Sequence, residues 1–475
     1  MIEAGAARTR GIDARTFALP AATFHRAAVW SLRALLAVVI FSWFSAAPPR
    51  ASQLVLTLEL GRRAVAEQHF ELGWLGAACT YLANAAAGFG GMAALGGTLV
   101  VVALALVEFR ARPRTGDVLS LAATIVAAYF FLDVLRVGGG GAHWVCAAAF
   151  VLALERARGW GLCVAVAIVA VWANVAADAV VAPALAALVA IGRALDGRLP
   201  RASVAHMALV VLGCAAALLL TPEGFAALAR APLAAHLDRE LAALIPFAPS
   251  TVAPRAYMTL FGMLAAGAAL GLRRSRWEDR LLFCAALLLA FWNGAYLPLA
   301  GIVAAPVLFG SLVRVAPQFF AQPSQKGRFA KGLIAAIAVV FALGFAGDTP
   351  GRVAQTARGH EPADSVIRRS LADGRRHHVF CAVLEWCNYA ITLGNVRVMM
   401  DARVERADPS VRTAQFTIAR VKPGWKRELA ARGIDAVVVR RSEALGQLLA
   451  FVPHWEAVDL EDGIVLYERA GGAAR

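Results

Sequence analysis

What most constrains this chain is a succession of long apolar stretches that fills it up to about Phe345, after which ordinary mixed sequence runs to the end. A helix needs about 17 to 25 apolar residues to cross the hydrocarbon core of a bilayer, and inside that core it must satisfy its own backbone N–H and C=O groups. Stretches near Ala27–Ala47, Met92–Val107, Val118–Leu135, Trp144–Leu154, Gly159–Ala177 and Val180–Ile191 fit this template. So do those near Ala202–Leu220, Val252–Leu272, Leu281–Trp292, Ala295–Val313 and Gly332–Gly347. The expected fold is therefore a polytopic α-helical membrane protein of about eleven transmembrane helices over residues 1–347, followed by a soluble α/β domain over 348–475. The composition agrees: 60% of the residues are hydrophobic and 17% charged, against about 25% charged in soluble domains.

The formal net charge of +15 does not point to nucleic acid, because the arginines sit in short clusters between apolar segments. Such clusters are Arg8, Arg10, Arg15 and Arg26; Arg110, Arg112 and Arg114; Arg156 and Arg158; and Arg193, Arg198 and Arg201. Arg273, Arg274, Arg276 and Arg280 continue the series, as do Arg314, Lys326, Arg328 and Lys331. With eleven spans all of them fall on one side, and positive charge marks the cytoplasm. The N-terminus is then expected in the cytoplasm and the tail outside it, with the first apolar run kept as an anchor.

For this count to hold, the segment before Gly88, Gly90 and Gly91 must break rather than span. Residues 48–91 then form a first outer loop, whose helices lie along the surface. Leu54, Leu58, Val65 and Phe70 supply its apolar side, and Glu59, Arg62, Arg63 and Glu67 its charged one. A second outer loop covers 221–253. The tail predicts helices at Ala363–Ala372, Gly424–Ala431 and Glu443–Ala450, strands at Val379–Val383, Val396–Met400 and Ala436–Arg440, and a closing hairpin through Trp455–Tyr467. Of the seven cysteines, only Cys381 and Cys387 lie in the tail; outside the cytoplasm they either form a disulfide or remain a structural pair of thiols.

Several short stretches carry a resemblance. Trp172-Ala173-Asn174-Val175 matches the start of a Trp-Ala-Asn-Leu-His-Gly stretch, with Ala176 in the His position. Thr221-Pro222-Glu223-Gly224 stands where Asn-Pro-x-Gly precedes a second outer loop, and the tail carries Asp401-Ala402-Arg403 and Pro423-Gly424-Trp425. Leu58-Glu59-Leu60-Gly61-Arg62 looks like a Leu-x-x-Gly-Arg stretch, although the preceding acidic pair is replaced by Ser52 and Gln53. With two long outer loops and an outer tail, the chain resembles bacterial membrane glycosyltransferases of the GT-C superfamily. The resemblance implies transfer of a sugar from a polyprenyl-phosphate carrier on the outer face to an acceptor, without a cofactor. The alternative is a non-catalytic protein of the same fold that binds a lipid or a protein partner.

Such chemistry needs a carboxylate to take the acceptor's proton and cations to stabilise the departing phosphate. The candidate carboxylates are Glu59, Asp178 at the end of the Trp172 segment, and Glu240, with Glu67 and Glu71 beside the first. The candidate phosphate ligands are Arg62, Arg63, Arg239 and Arg255. Each has a plainer reading: a salt-bridged surface for Glu59, exposure at a helix end for Asp178, and interfacial anchoring around Asp238, Arg239 and Glu240. Asp133 and Arg136 read as a local pair. His143, His377 and His378 lack the partners a metal needs. Glu385, Trp386, Asn388 and Tyr389 suit either sugar stacking or the edge of the tail core.

Overall fold

The computed structural model describes residues 21–45, 51–71, 73–131, 141–156, 161–197, 201–222, 275–292, 296–315, 362–393, 395–400 and 407–470, with a few isolated positions besides. The apolar region is a helical bundle. Its described helices are α1 Ala21–Ser45, α2 Ala51–Ala66, α3 Trp74–Phe131, α4 Ala142–Arg156, α5 Gly161–Val175, α6 Ala182–Leu195, α7 Arg201–Ala217, α8 Trp277–Trp292 and α9 Leu297–Val315. Among the described residues, Trp74–Phe131, Asp178–Leu195 and Leu297–Val315 are long and apolar enough to cross a membrane. Val29–Ser45, Cys163–Val175 and Val204–Leu220 are shorter apolar helices. The expected spans near 252–272 and 332–347 lie, but for isolated positions, outside the described residues.

The long helix α3 is three pieces, 74–86, 89–115 and 117–131. Its backbone leaves helical geometry at Ala87 and Gly88, where φ reaches 57°, and again at Gly116. The first interruption falls where the glycine-rich stretch predicts it. A positive φ costs glycine little, whereas a side chain there would crowd the backbone. The 74–86 piece lies beneath α2, and the two approach so closely that a Cβ on Gly61 would collide with the Ala77 carbonyl and Tyr81 Cβ.

Large side chains such as Phe131, Trp144, Phe150 and Trp172 fill the bundle centre. One end of it is held by buried charges. The Arg110 guanidinium donates to Glu155 on α4 at 2.8 Å and to the Ile302 and Val303 carbonyls on α9 at 2.7 and 3.1 Å. Pro306 lies inside α9 and has no N–H to offer the carbonyl four residues before it, so Ile302 oxygen is free for this outside donor. Arg114 bridges Glu155 and Asp279, and Arg193 pairs with Glu278 at 2.9 Å. A buried ion pair is stable only when its partners stay together.

The tail is a three-layer α/β/α domain. Its elements are α10 Pro362–Leu371, β1 His377–Cys381, α11 Leu384–Ile391, β2 Val396–Val398, α12 Pro409–Ala419, α13 Trp425–Ala431, β3 Ala436–Arg440, α14 Ala444–Leu449, β4 Trp455–Glu461 and β5 Ile464–Arg469. The five-stranded sheet runs β2-β1-β3-β5-β4, with β1 parallel to β2 and β3, and β5 antiparallel to β3 and β4. Strand side chains alternate between faces. Val379, Cys381, Ala436, Val438 and Leu466 therefore join one core with α10 and α11, while Phe380, Val437, Val439, Val465 and Tyr467 join the other with α12, α13 and α14.

Sequence reading misses α11 and α12. The second is opened by Asp408, whose side chain accepts the Ser410 N–H at 2.8 Å, with Pro409 in the first turn. Cys381 at the end of β1 is joined to Cys387 in α11, with Cα atoms 5.7 Å apart. The chain turns at once from strand to helix, and α11 also rests on α2, bringing the tail against the bundle.

Two outcomes are expected. Replacing Arg110 by Leu leaves Glu155 short of a buried partner and should cost about 3 kcal/mol, visible as a lower Tm in detergent, with much of the loss recovered when Glu155 is also made Leu. Thiol titration of the chain unfolded without reductant should find five of its seven cysteines reactive; seven would mean that the bridge is absent.

Candidate functional site

Helix α4 divides the bundle into two faces. Its first turn carries His143 and its last carries Glu155, and twelve residues of helix separate them by about 18 Å. Glu155 belongs to the arginine-rich end. His143 therefore belongs to the opposite end, and its neighbours there are polar residues of α5 and the turn that follows.

Helix α5 stops at Val175 because Ala176 is extended, and the chain passes through a short helical turn, Ala177–Val181, into α6. Asp178 sits in that turn, so an acidic side chain is presented where two apolar helices are interrupted. Its Oδ1 accepts the indole N–H of the fully buried Trp172 at 2.9 Å, and its Oδ2 lies 3.6 Å from His143 Nε2. Asn174 extends the cluster. Its Oδ1 accepts the indole N–H of Trp74 at 2.9 Å, and its Nδ2 donates to the Ala170 carbonyl. Phe70 meets the Trp74 ring edge-on at 4.8 Å.

Through Trp74 this cluster is joined to the helix under α2, which carries the second group of candidates. Glu59 accepts a forked pair of hydrogen bonds from Arg62, both at 2.8 Å, and a third from Arg63 at 2.8 Å. Arg62 also bridges to Glu67 at 2.8 Å. These residues recur every three or four positions and so share one helix surface. The hydrogen bonds from Arg62, joined by those from Arg63 and the charge of both, hold the Glu59 carboxyl down at about 2. Such a carboxylate stays ionised and orients two guanidiniums, but is a poor proton acceptor near neutrality.

Neither a family model nor a curated protein matches the chain. Solved structures do. An Archaeoglobus fulgidus oligosaccharyltransferase in its apo form aligns with a TM-score of 0.57 at 12% identity, covering 90% of this chain and 71% of that one. The same enzyme tethered to an acceptor peptide aligns with a TM-score of 0.55 at 11% identity, covering 88% and 70%. ArnT from Cupriavidus metallidurans, bound to undecaprenyl phosphate, aligns with a TM-score of 0.56 at 14% identity, covering 96% and 100%. The fold is GT-C-like.

Within this GT-C-like fold, the structure brings Trp172, Asn174 and Asp178 together, and separately Glu59, Arg62 and Arg63. Asp238, Arg239, Glu240 and Arg255 lie outside the described residues, as do Asp133 and Arg136. His143, weighed in the sequence only as a metal ligand, is a neighbour of Asp178, and among the described residues no group of three or more metal-binding side chains forms. Trp74 carried no sequence signal, since its partner lies 100 residues away. Trp386, Asn388 and Tyr389 are buried, the two aromatic rings in the core beneath β1. His377 hydrogen-bonds Asp373 at 3.1 Å.

The Glu59 cluster gives a pH test. A carboxyl lowered from its ordinary 4.5 to about 2 stabilises the fold above pH 4.5 and loses that contribution as pH falls through 2. Glu59→Gln should therefore unfold more easily than wild type at pH 7, by about 1 kcal/mol, and the gap should close between about pH 4.5 and 2 in denaturant titrations.

Proposed function

We propose that this chain is an inverting, lipid-linked glycosyltransferase of the outer face of a bacterial inner membrane, and that Asp178 is its general base. The observation carrying the reading is the carboxylate of Asp178, oriented by Trp172 and set against His143 at the end of the bundle opposite the arginine-rich face. It supports the reading because a base has to be held in one position and remain reachable by the hydroxyl it deprotonates. The neighbour ArnT, whose structure holds undecaprenyl phosphate, supports a polyprenyl-phosphate sugar as donor. The Cys381–Cys387 bridge supports a periplasmic tail, since disulfides persist in oxidising compartments.

In this mechanism the acceptor oxygen attacks the anomeric carbon of the donor sugar while Asp178 removes its proton. The bond from that carbon to the carrier phosphate breaks, and the phosphate leaves with the electron pair. Arg62 and Arg63, aimed by Glu59, offer cations for the departing charge, and Arg239 and Arg255 are assigned the same task from the second loop. Glu240 is the further carboxylate of that loop. A non-catalytic lipid-binding protein is the second reading, and the engagement of Glu59 by two guanidiniums is what favours it.

The test is release of polyprenyl phosphate from radiolabelled polyprenyl-linked sugars by the chain in proteoliposomes. Asp178→Asn should lower the rate about 100- to 10,000-fold with the fold intact, whereas Arg62→Ala should chiefly raise KM. Equal turnover by Asp178→Asn removes this residue from the mechanism. Retention of the lipid without release of phosphate from any donor makes the binding protein the better reading.

A further inference from the structure

We propose that the arginine-rich face carries a binding site for the headgroup of an anionic phospholipid, formed by Trp30, Phe109, Arg112 and Arg156. Most charges on this face are occupied within the bundle, where Arg110, Arg114 and Arg193 meet Glu155, Asp279 and Glu278. Arg156 differs from them. It directly follows Glu155, but its side chain is exposed, and its guanidinium lies 3.8 Å over the Phe109 ring while donating to the Phe109 carbonyl. Among the described residues it has no carboxylate partner.

Phe109 is in turn the neighbour of Glu108, which receives Arg33 at 2.6 Å, and the Arg33 guanidinium lies 4.9 Å from the Trp30 ring. Asp117 receives both Arg33 and Arg112. Among the described residues the patch thus holds Arg33, Arg112 and Arg156 against Glu108 and Asp117, and the charge in excess rests on Arg156. The Trp30 ring beside Arg33 and the Phe109 ring beneath Arg156 are 61% and 53% exposed.

Exposed aromatic rings level with arginines at the end of an apolar bundle match the headgroup layer, where rings lie between acyl chains and water and guanidiniums fork onto phosphate oxygens. The positive charge in excess among the described residues selects the lipid. A zwitterionic headgroup would bring its own ammonium beside Arg156, whereas phosphatidylglycerol brings only the phosphate. A free phosphate would leave both rings without a partner.

The experiment uses the full chain in micelles doped with either phosphatidylglycerol or phosphatidylcholine, with lipid retention read by native mass spectrometry. Wild type should prefer phosphatidylglycerol, and Arg156→Gln should reduce that preference about fivefold, while Arg427→Gln in the tail leaves it unchanged. Replacing Trp30 and Phe109 together by Leu should weaken both lipids. Should Arg156→Gln fail to fold, Arg112→Gln carries the same expectation of a weakened preference. Equal retention of the two lipids by wild type overturns the proposal, as does an Arg156→Gln protein that binds like wild type. Displacement of phosphatidylglycerol by inorganic phosphate, or by undecaprenyl phosphate in its place, overturns it too.

Discussion

The bundle depends on one buried cation. The Arg110 side chain is almost fully buried, and such a charge is tolerable only if its donors find acceptors within the protein. Glu155 supplies one, and α9 supplies two backbone oxygens next to a proline that breaks its own hydrogen-bond ladder. Helices α3, α4 and α9 are thereby fixed in register, and Arg114 and Arg193 extend the constraint to α8 and α6. Once one end of a set of rigid helices is fixed, so are the heights of the opposite ends. The placement of His143 against Asp178 follows from charges at the far side of the bundle.

The two carboxylates of greatest interest differ through their surroundings. Glu59 lies on an amphipathic helix with arginines three and four residues on, so its partners come from its own sequence and hold it ionised. Asp178 has no arginine at helical spacing. Its contacts, Trp172 and His143, come from other parts of the fold and orient it without adding a guanidinium.

What could be read from the sequence follows the same division. Apolar runs, the break at Gly88 and the tail strands are periodic or local features, and those that fall within the described residues are found close to where the residue pattern predicts. Trp172, Asn174 and Asp178 stand together in the chain and remain together in space. By contrast, the acids that neutralise the arginine clusters, Glu155, Glu278 and Asp279, belong to other helices, and their pairing depends on which helices become neighbours. Arg110, Arg114 and Arg193 gather at one end of the described bundle, but which acids they meet is not legible in the sequence. Trp74 and His143 escaped for that reason. Helix α11 escaped because Glu385, Trp386, Asn388 and Tyr389 read equally as a sugar-stacking surface and as the edge of the tail core, and only the burial of Trp386, Asn388 and Tyr389 decides between the two.

The contact of α11 with α2 has a consequence for how such proteins are assembled from parts. The tail has its own sheet and two cores, which suggests a unit that could be exchanged freely. Yet the helix that presses on the bundle is stapled to the first strand of that sheet and rests on the helix that carries Glu59. The seam between interchangeable modules therefore does not run along the linker before the tail. It runs around the tail and α2 together, and a chimaera that respected only the linker would set a foreign surface against the loop of the candidate site.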